Sequence, residues 1–240
     1  MKINKYVNDS TSYYKENYAP YFNTENFIRY ATKRWDVLQA YLHDDKFLES
    51  GRVLDLGCGE GAFLQFLSRK TRAYIIGVDS SYQCCRLAKQ RNPCLQVIQA
   101  DAGSLLFDKS CFDLVFSNAI LHHVSDVEKT IVEALRVTKP GGFVVFVEPN
   151  RFHPLQIIHG VSRKAEWGTL LFSIGNIKRL LKVFPEVENY WILPINTYLY
   201  IRKKFPPAKL RSFFICLEDM LNFKMFSTHY MIIIRCKKEN

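Results

Sequence analysis

Asp55, Asp79 and Asp101 each stand at or near the end of a short apolar run, and the first is followed by a glycine-rich stretch, Gly57-Cys58-Gly59-Glu60-Gly61. Glycine lets a backbone bend sharply and approach a ligand where any Cβ would collide. Amides at the helix start that follows favour a ligand carboxylate or phosphate. Taken alone, Gly57-x-Gly59-x-x-Ala62 also satisfies the dinucleotide-binding pattern. The carboxylates separate the two cases. Asp55 precedes the turn by two positions, and a carboxylate there suits an ammonium better than a pyrophosphate. Asp79, in Gly77-Val78-Asp79-Ser80, can accept from both hydroxyls of a ribose. Asp101, in Gln99-Ala100-Asp101-Ala102, is set to accept from an adenine amino group. A ligand with a cationic amino-acid end, a ribose and an adenine satisfies all three, and S-adenosyl-L-methionine is that ligand.

The elements that must position these residues are legible in the hydrophobic pattern. Arg52–Leu56, residues 73–78, 95–99, 112–117 and 143–147 read as strands, and residues 62–69, 82–91 and 127–137 as helices, the last ended by Lys139-Pro140-Gly141-Gly142. Strands alternating with helices imply βαβ units and a parallel sheet, and continuous apolar strands imply burial on both faces. Strand ends side by side at the carboxyl edge of such a sheet form a ligand crevice. Apolar residues at helical spacing from Phe27 to Leu48 predict one N-terminal helix; Leu170 to Leu181 predict another, with Lys178, Arg179 and Lys182 opposite. Residues 190–194 and 228–235 read as two further strands, and residues 150–185 and 196–226 as cap elements.

Four stretches carry a resemblance: Val53–Phe63, Gly77–Ser81, Gln99–Ala102, and Phe112–Asn118 with Leu135–Gly142. The chain resembles class I S-adenosylmethionine-dependent methyltransferases of the methyltransferase type 11 group, which includes ubiquinone- and menaquinone-biosynthesis enzymes. The resemblance implies an α/β, Rossmann-like, doubly wound seven-stranded sheet whose last strand is antiparallel and inserted beside the fifth. One methyltransferase domain would span 1–240: an N-terminal helical lid (1–50), the cofactor-binding core (51–149), cap and insertions with the sixth strand (150–226), and the last strand (227–240). The resemblance assigns Asp55 and the Gly57, Cys58 and Gly59 backbone to the methionine end of the cofactor. It assigns Asp79 with Ser80 to the ribose, Asp101 with the Ala102 amide to adenine, and Asn118 to the sulfonium side. Cys58 itself reads as a small apolar filler.

The cofactor carries the activated methyl group, so the protein has to align a nucleophile and, where needed, take its proton. The candidates lie in Asn118-Ala119-Ile120-Leu121-His122-His123-Val124-Ser125-Asp126, where His123 is the expected base and His122 its support. The alternative has one histidine tethering the loop. Ser125 or Asp126 is expected to cap the next helix. The Asn/Asp-Pro-Pro-Tyr/Phe run of amino-methylating enzymes is replaced by Ser117-Asn118-Ala119-Ile120, so oxygen, carbon or aliphatic nitrogen acceptors are expected. The resemblance points to acceptor contacts from the N-terminal aromatics, Tyr14 and Tyr18 among them, and from Arg151 after the fifth strand.

Composition bounds the rest. The 240 residues are 48 % hydrophobic and 23 % charged, which excludes whole-chain disorder and fibrous classes. No apolar run reaches the length of a membrane span. Seven cysteines without a C-x-x-C pair fit neither a disulfide framework nor a metal site, so a reducing, cytoplasmic location is expected. The net charge of +10 is uneven: residues 151–240 hold 15 Lys/Arg against 6 Asp/Glu. Three functions follow as expectations: methylation of a small apolar or lipid-like acceptor, methylation of nucleic acid held by a basic cap around Ile201-Arg202-Lys203-Lys204-Phe205, or cofactor binding without catalysis. Peripheral membrane contact through residues 198–214 is compatible with the first. The oligomeric state stays open.

Overall fold

The computed structural model describes residues 25–42, 47–162, 167–196 and 227–238. Tyr14, Tyr18, the second cap segment beyond Asn196 and the basic stretch 198–214 lie outside them. Seven strands form one sheet: β1 (Arg52–Leu56), β2 (Tyr74–Asp79), β3 (Gln96–Gln99), β4 (Phe112–Asn118), β5 (Thr138–Pro149), β6 (Val187–Ile195) and β7 (His229–Cys236). Their spatial order is β3-β2-β1-β4-β5-β7-β6. The first five pair in parallel, and β7 runs antiparallel between β5 and β6. The expected doubly wound sheet with an inserted antiparallel last strand is therefore present. Strand order reverses between β1 and β4, and such a switch point opens a crevice at the carboxyl edge.

Alternation along each central strand feeds two cores. Phe143, Val145 and Val147 of β5 face one side with Tyr30, Ala31, Trp35 and Leu38 of α1 (Glu25–Gln39) and Phe63 and Leu67 of α3 (Ala62–Lys70). Val144 and Phe146 face the other with Ile131, Ala134 and Leu135 of α5 (Val127–Val137). These strands are buried on both faces, as their unbroken apolar runs require. The edge strand β6 carries Pro194, which an edge tolerates because its missing N–H leaves no ladder bond unmade on the outer side.

Three boundaries differ from the pattern. The expected helix from Phe27 to Leu48 ends at Gln39, where the Leu42 amide is shared between the Leu38 and Gln39 carbonyls, and a separate turn, α2 (Phe47–Ser50), follows. Leu42 is nonetheless buried, so periodicity tracked burial, not helical backbone. The stretch from Leu170 to Leu181 is two helices, α7 (Trp167–Leu171) and α8 (Ile174–Val183), parted at Ser173, whose extended backbone starts the second. Lys139–Gly142 lies inside β5, where Gly141 at φ 75° and a register shift against β4 accommodate it. The remaining helices are α4 (Tyr82–Arg91) and α6 (Pro154–Ser162). Among the described residues no helix is long and apolar enough to cross a membrane.

Candidate active site

The glycine turn joins β1 to α3 with Gly57, Gly59 and Gly61 all at positive φ, a region where side chains with a Cβ are strained. A Cβ on Gly57 would stand 2.7 Å from Ile120 Cδ1. The turn is strapped to β2, since the Gly57 and Cys58 amides both donate to the Val78 carbonyl at 2.7 and 2.9 Å. Asp79 tightens the strap. Its Oδ2 accepts from the Gly59 amide at 2.9 Å and its Oδ1 from the Ser81 amide at 2.8 Å, while Ser81 caps α4. The carboxylate expected to hold a ribose thus also fixes the shape of the turn beside it. Ser80 is exposed, and its carbonyl accepts from Gln99.

Asp55 is buried within β1, and its Oδ2 has no hydrogen-bond partner. Burial, then the nearby Asp79 charge, pushes its carboxyl up to about 8. Asp79 is also raised by burial, opposed by its two backbone donors. Asp101 is exposed just beyond β3, where its Oδ1 accepts from the Gly103 amide at 2.7 Å, and Ala102 beside it is buried. The three aspartates therefore stand on neighbouring strands at one edge of the sheet. Cys58 is buried, and burial first, then Asp55 and Asp79, raises its thiol well above the usual range. A Cβ on Gly77 would meet Cys58 Sγ at 2.8 Å, so the thiol is packed as filler.

Across the switch point, Asn118 ends β4 and its Oδ1 accepts from Tyr30 Oη at 3.3 Å. Ala119 follows at φ 64°, an uncommon conformation for a residue with a Cβ. What holds this bend is Glu148, fully buried near the end of β5. Its Oε1 accepts from the Ile120 and Leu121 amides at 2.9 and 2.8 Å, and its Oε2 lies 2.6 Å from His122 Nδ1. A neutral imidazole that donates from Nδ1 to a carboxylate has Nε2 as its basic nitrogen. The His123 ring lies 3.9 Å from the His122 ring. His122 is buried and His123 half-buried. The loop is held from outside as well, because a Cβ on Gly168 of α7 would overlap the His122 carbonyl oxygen.

Arg34 of α1 is fully buried with its guanidinium 3.8 Å from the Tyr30 ring centre. Burial lowers its pKa, opposed by Tyr30 and by Glu148. Sequence reasoning singled out none of Arg34, Tyr30 and Glu148. The signals were present: Glu148 is a lone charge ending an apolar strand, and Arg34 falls on the same helical face as Ala31, Trp35 and Leu38. Asp126, not Ser125, caps α5 through the Lys129 amide.

Arg151 lies away from the histidines in sequence, beside a cavity of about 230 Å³ that Asn150, Phe152, Phe172, Ile174 and Tyr230 also line. A larger cavity of about 620 Å³ opens at the opposite edge of the sheet, between Gly51, Asp113 and Lys139, and is remote from the aspartates. Among the described residues no three His, Cys, Asp or Glu side chains converge as a metal would need.

Residues 54–146 match the family described as "Methyltransferase domain". The chain is 29 % identical over 175 residues to a trans-aconitate 2-methyltransferase of Variovorax paradoxus (strain S110), covering 72 % of this chain and 66 % of that one. It is 34 % identical over 131 residues to a tRNA (carboxymethyluridine(34)-5-O)-methyltransferase of Arabidopsis thaliana, covering 53 % and 29 %. The chain thus spans between under a third and just under two thirds of these relatives' lengths. The fold is similar to a SAM-dependent methyltransferase from Archaeoglobus fulgidus, with TM-score 0.64 at 18 % identity over 90 % of this chain and 96 % of the other.

Proposed function

We propose, from the match of residues 54–146 to the methyltransferase-domain family, that the chain transfers a methyl group from S-adenosylmethionine to a hydroxyl or carbon of a small, apolar or lipid-like acceptor. The observation that carries this reading is the buried, unpartnered Asp55 carboxyl oxygen beside the glycine turn. A buried carboxyl without a donor is costly, and an ammonium would complete it. Asp55 and the turn would hold the amino-acid end, Asp79 and Ser80 the ribose, and Asp101 with Ala102 the adenine. When bound, the cofactor supplies a methyl group already activated on a positively charged sulfur.

The chain's own part is orientation and proton transfer. Glu148 fixes the His122 tautomer and would stabilise the imidazolium formed when Nε2 takes an acceptor proton. The Glu148 contact, which His123 is not shown to share, supports His122 over His123 as the base, with the neighbouring His123 ring bounding its position. Asn118 and Tyr30 tie α1 to the same edge, so acceptor binding and loop geometry share one wall. Arg151 would contribute to acceptor binding, as would Tyr14 and Tyr18 of the N-terminal segment.

A nucleic-acid acceptor is the second reading, favoured by the +9 balance of residues 151–240 (15 basic minus 6 acidic) and by the tRNA-modifying relative. It requires retention on RNA that weakens steeply with salt. Binding without any detectable transfer would support a regulatory role instead.

Calorimetry tests the premise. The protein is expected to give heat with S-adenosylhomocysteine and none with NADH, and Asp79→Asn to lose about 10–100-fold in affinity. Heat with NADH alone overturns the reading. In a turnover assay with labelled cofactor, Glu148→Gln is expected to lower kcat about 10²-fold or more and to shift the acidic limb of the pH profile, with cofactor affinity retained.

A further inference from the structure

Helix α6 is built inside out. Its buried residues, among those described, are Gln156, whose Nε2 donates to the Thr228 carbonyl at 3.1 Å, and Gly160, where a Cβ would meet Leu170 of α7 at 2.8 Å. Among its described side chains, large apolar ones face outward: Ile157 is 41 % exposed, Ile158 62 % and Val161 66 %, with Phe152 just before the helix at 57 %. Spacings of three and four put Ile157, Ile158 and Val161 on one face. A helix in water ordinarily turns such residues inward, and a contiguous exposed apolar ridge marks an interaction surface.

The charge of the sequence segment that carries the ridge identifies the partner. Residues 149–185 hold six Lys/Arg (Arg151, Arg163, Lys164, Lys178, Arg179 and Lys182) against the single acid Glu166. Arg151 lies with its guanidinium 4.7 Å from the Phe152 ring centre, so a cation adjoins the apolar ridge. We propose that α6 and Phe152 dock on a lipid bilayer bearing anionic headgroups, the side chains entering the acyl boundary while the cations meet phosphates. An in-plane apolar ridge with neighbouring Lys/Arg is the chemistry of interfacial binding. A second copy would bring like charge against like charge, and a nucleic acid would leave the isoleucines wet.

Phe152 belongs both to this ridge and to the 230 Å³ cavity that Arg151, Phe172 and Tyr230 share. The ridge therefore sets that cavity against the membrane, a route for an apolar acceptor that never crosses water. The docking stands on the surface alone; its purpose, acceptor delivery, rests on the methyl-transfer reading.

Flotation with vesicles of phosphatidylcholine, with and without phosphatidylglycerol, tests the docking. The full chain is expected to float with the phosphatidylglycerol vesicles, and less as salt rises. Ile158→Glu/Val161→Glu is expected to lose about 10-fold or more in partitioning. Ile158→Trp is expected to gain, an effect that misfolding cannot mimic. Calorimetry with S-adenosylhomocysteine on the same proteins reports separately on the methyl-transfer reading. The docking is overturned if the unmodified chain stays with neither vesicle or if the glutamate pair floats as well as it does. It is also overturned if the pair instead abolishes a dimer seen by sedimentation, or RNA retention.

Discussion

At the scale of single residues, the chemistry turns on buried charge. Asp55 has its folded-state pKa raised to about 8 by burial and by Asp79, above the ordinary carboxyl value of about 3.9. The folded state therefore holds a proton that the unfolded chain has lost. Stability from this group is complete below the ordinary carboxyl range and falls as pH rises through 8. Asp55→Asn is expected to remove that slope and to leave the variant the more stable protein at alkaline pH, read by denaturant midpoints across pH. A cationic ligand needs the ionised carboxylate, so binding at neutral pH should release a proton, visible as calorimetric heat that depends on the buffer. Affinity should rise toward pH 8 in the unmodified protein and be flat in Asp55→Asn, at a cost of about 10–100-fold. Proton-independent binding by the unmodified chain would contradict this account. Asp55, Asp79 and Asp101 were legible as residues because each punctuates an apolar run. The partner that holds His122 was not legible as such, since Glu148 is distant in sequence and meets the histidine only through pairing of β4 with β5.

At the scale of elements, the site depends on how closely backbones approach. Gly57 and Gly61 give the turn its positive φ, and Gly168 lets α7 lie against the His122 carbonyl. Gly168→Ala improves helix propensity by about 1 kcal/mol, yet its methyl has no room and the loop or the helix must move. Overpacking of this kind costs about 1–3 kcal/mol. The expected result is a lower denaturant midpoint and reduced turnover, with S-adenosylhomocysteine affinity unchanged because Asp55, Asp79 and the glycine turn are not touched. Loss of cofactor affinity together with turnover would show that α7 supports the whole edge and not the histidine loop alone. The strand and helix alternation over residues 52–147 was readable because burial on both sheet faces demands unbroken apolar strands. The ends of α1 and the division of α7 from α8 were not, because a buried Leu42 or Phe172 satisfies a hydrophobic period whether or not the backbone between is helical.

At the scale of the whole molecule, the carboxyl ends of the parallel strands β1 to β5 lie side by side, so a ligand there should stiffen both halves of the sheet. S-adenosylhomocysteine at a hundred times its Kd is expected to add about 2.7 kcal/mol of stability. For a chain of this size that is a rise in Tm of about 5–10 °C, measured by calorimetric scan; no rise at that concentration would show that the folded chain does not bind the ligand. Sequence alone determined the strand and helix alternation of a parallel sheet, the places of the acidic trio and the excess of positive charge toward the C-terminal end, since these follow from local hydrophobic period and composition, while the full seven-stranded order was implied by the family resemblance. Only the tertiary structure decided that Asp79 ties the glycine turn, that Glu148 clamps the histidine loop, that Arg34 is buried at the same edge, and that α6 turns its isoleucines outward. Each of those depends on which surfaces distant segments cover. A residue's burial and its charged neighbours are properties of packing, which no short window of sequence contains.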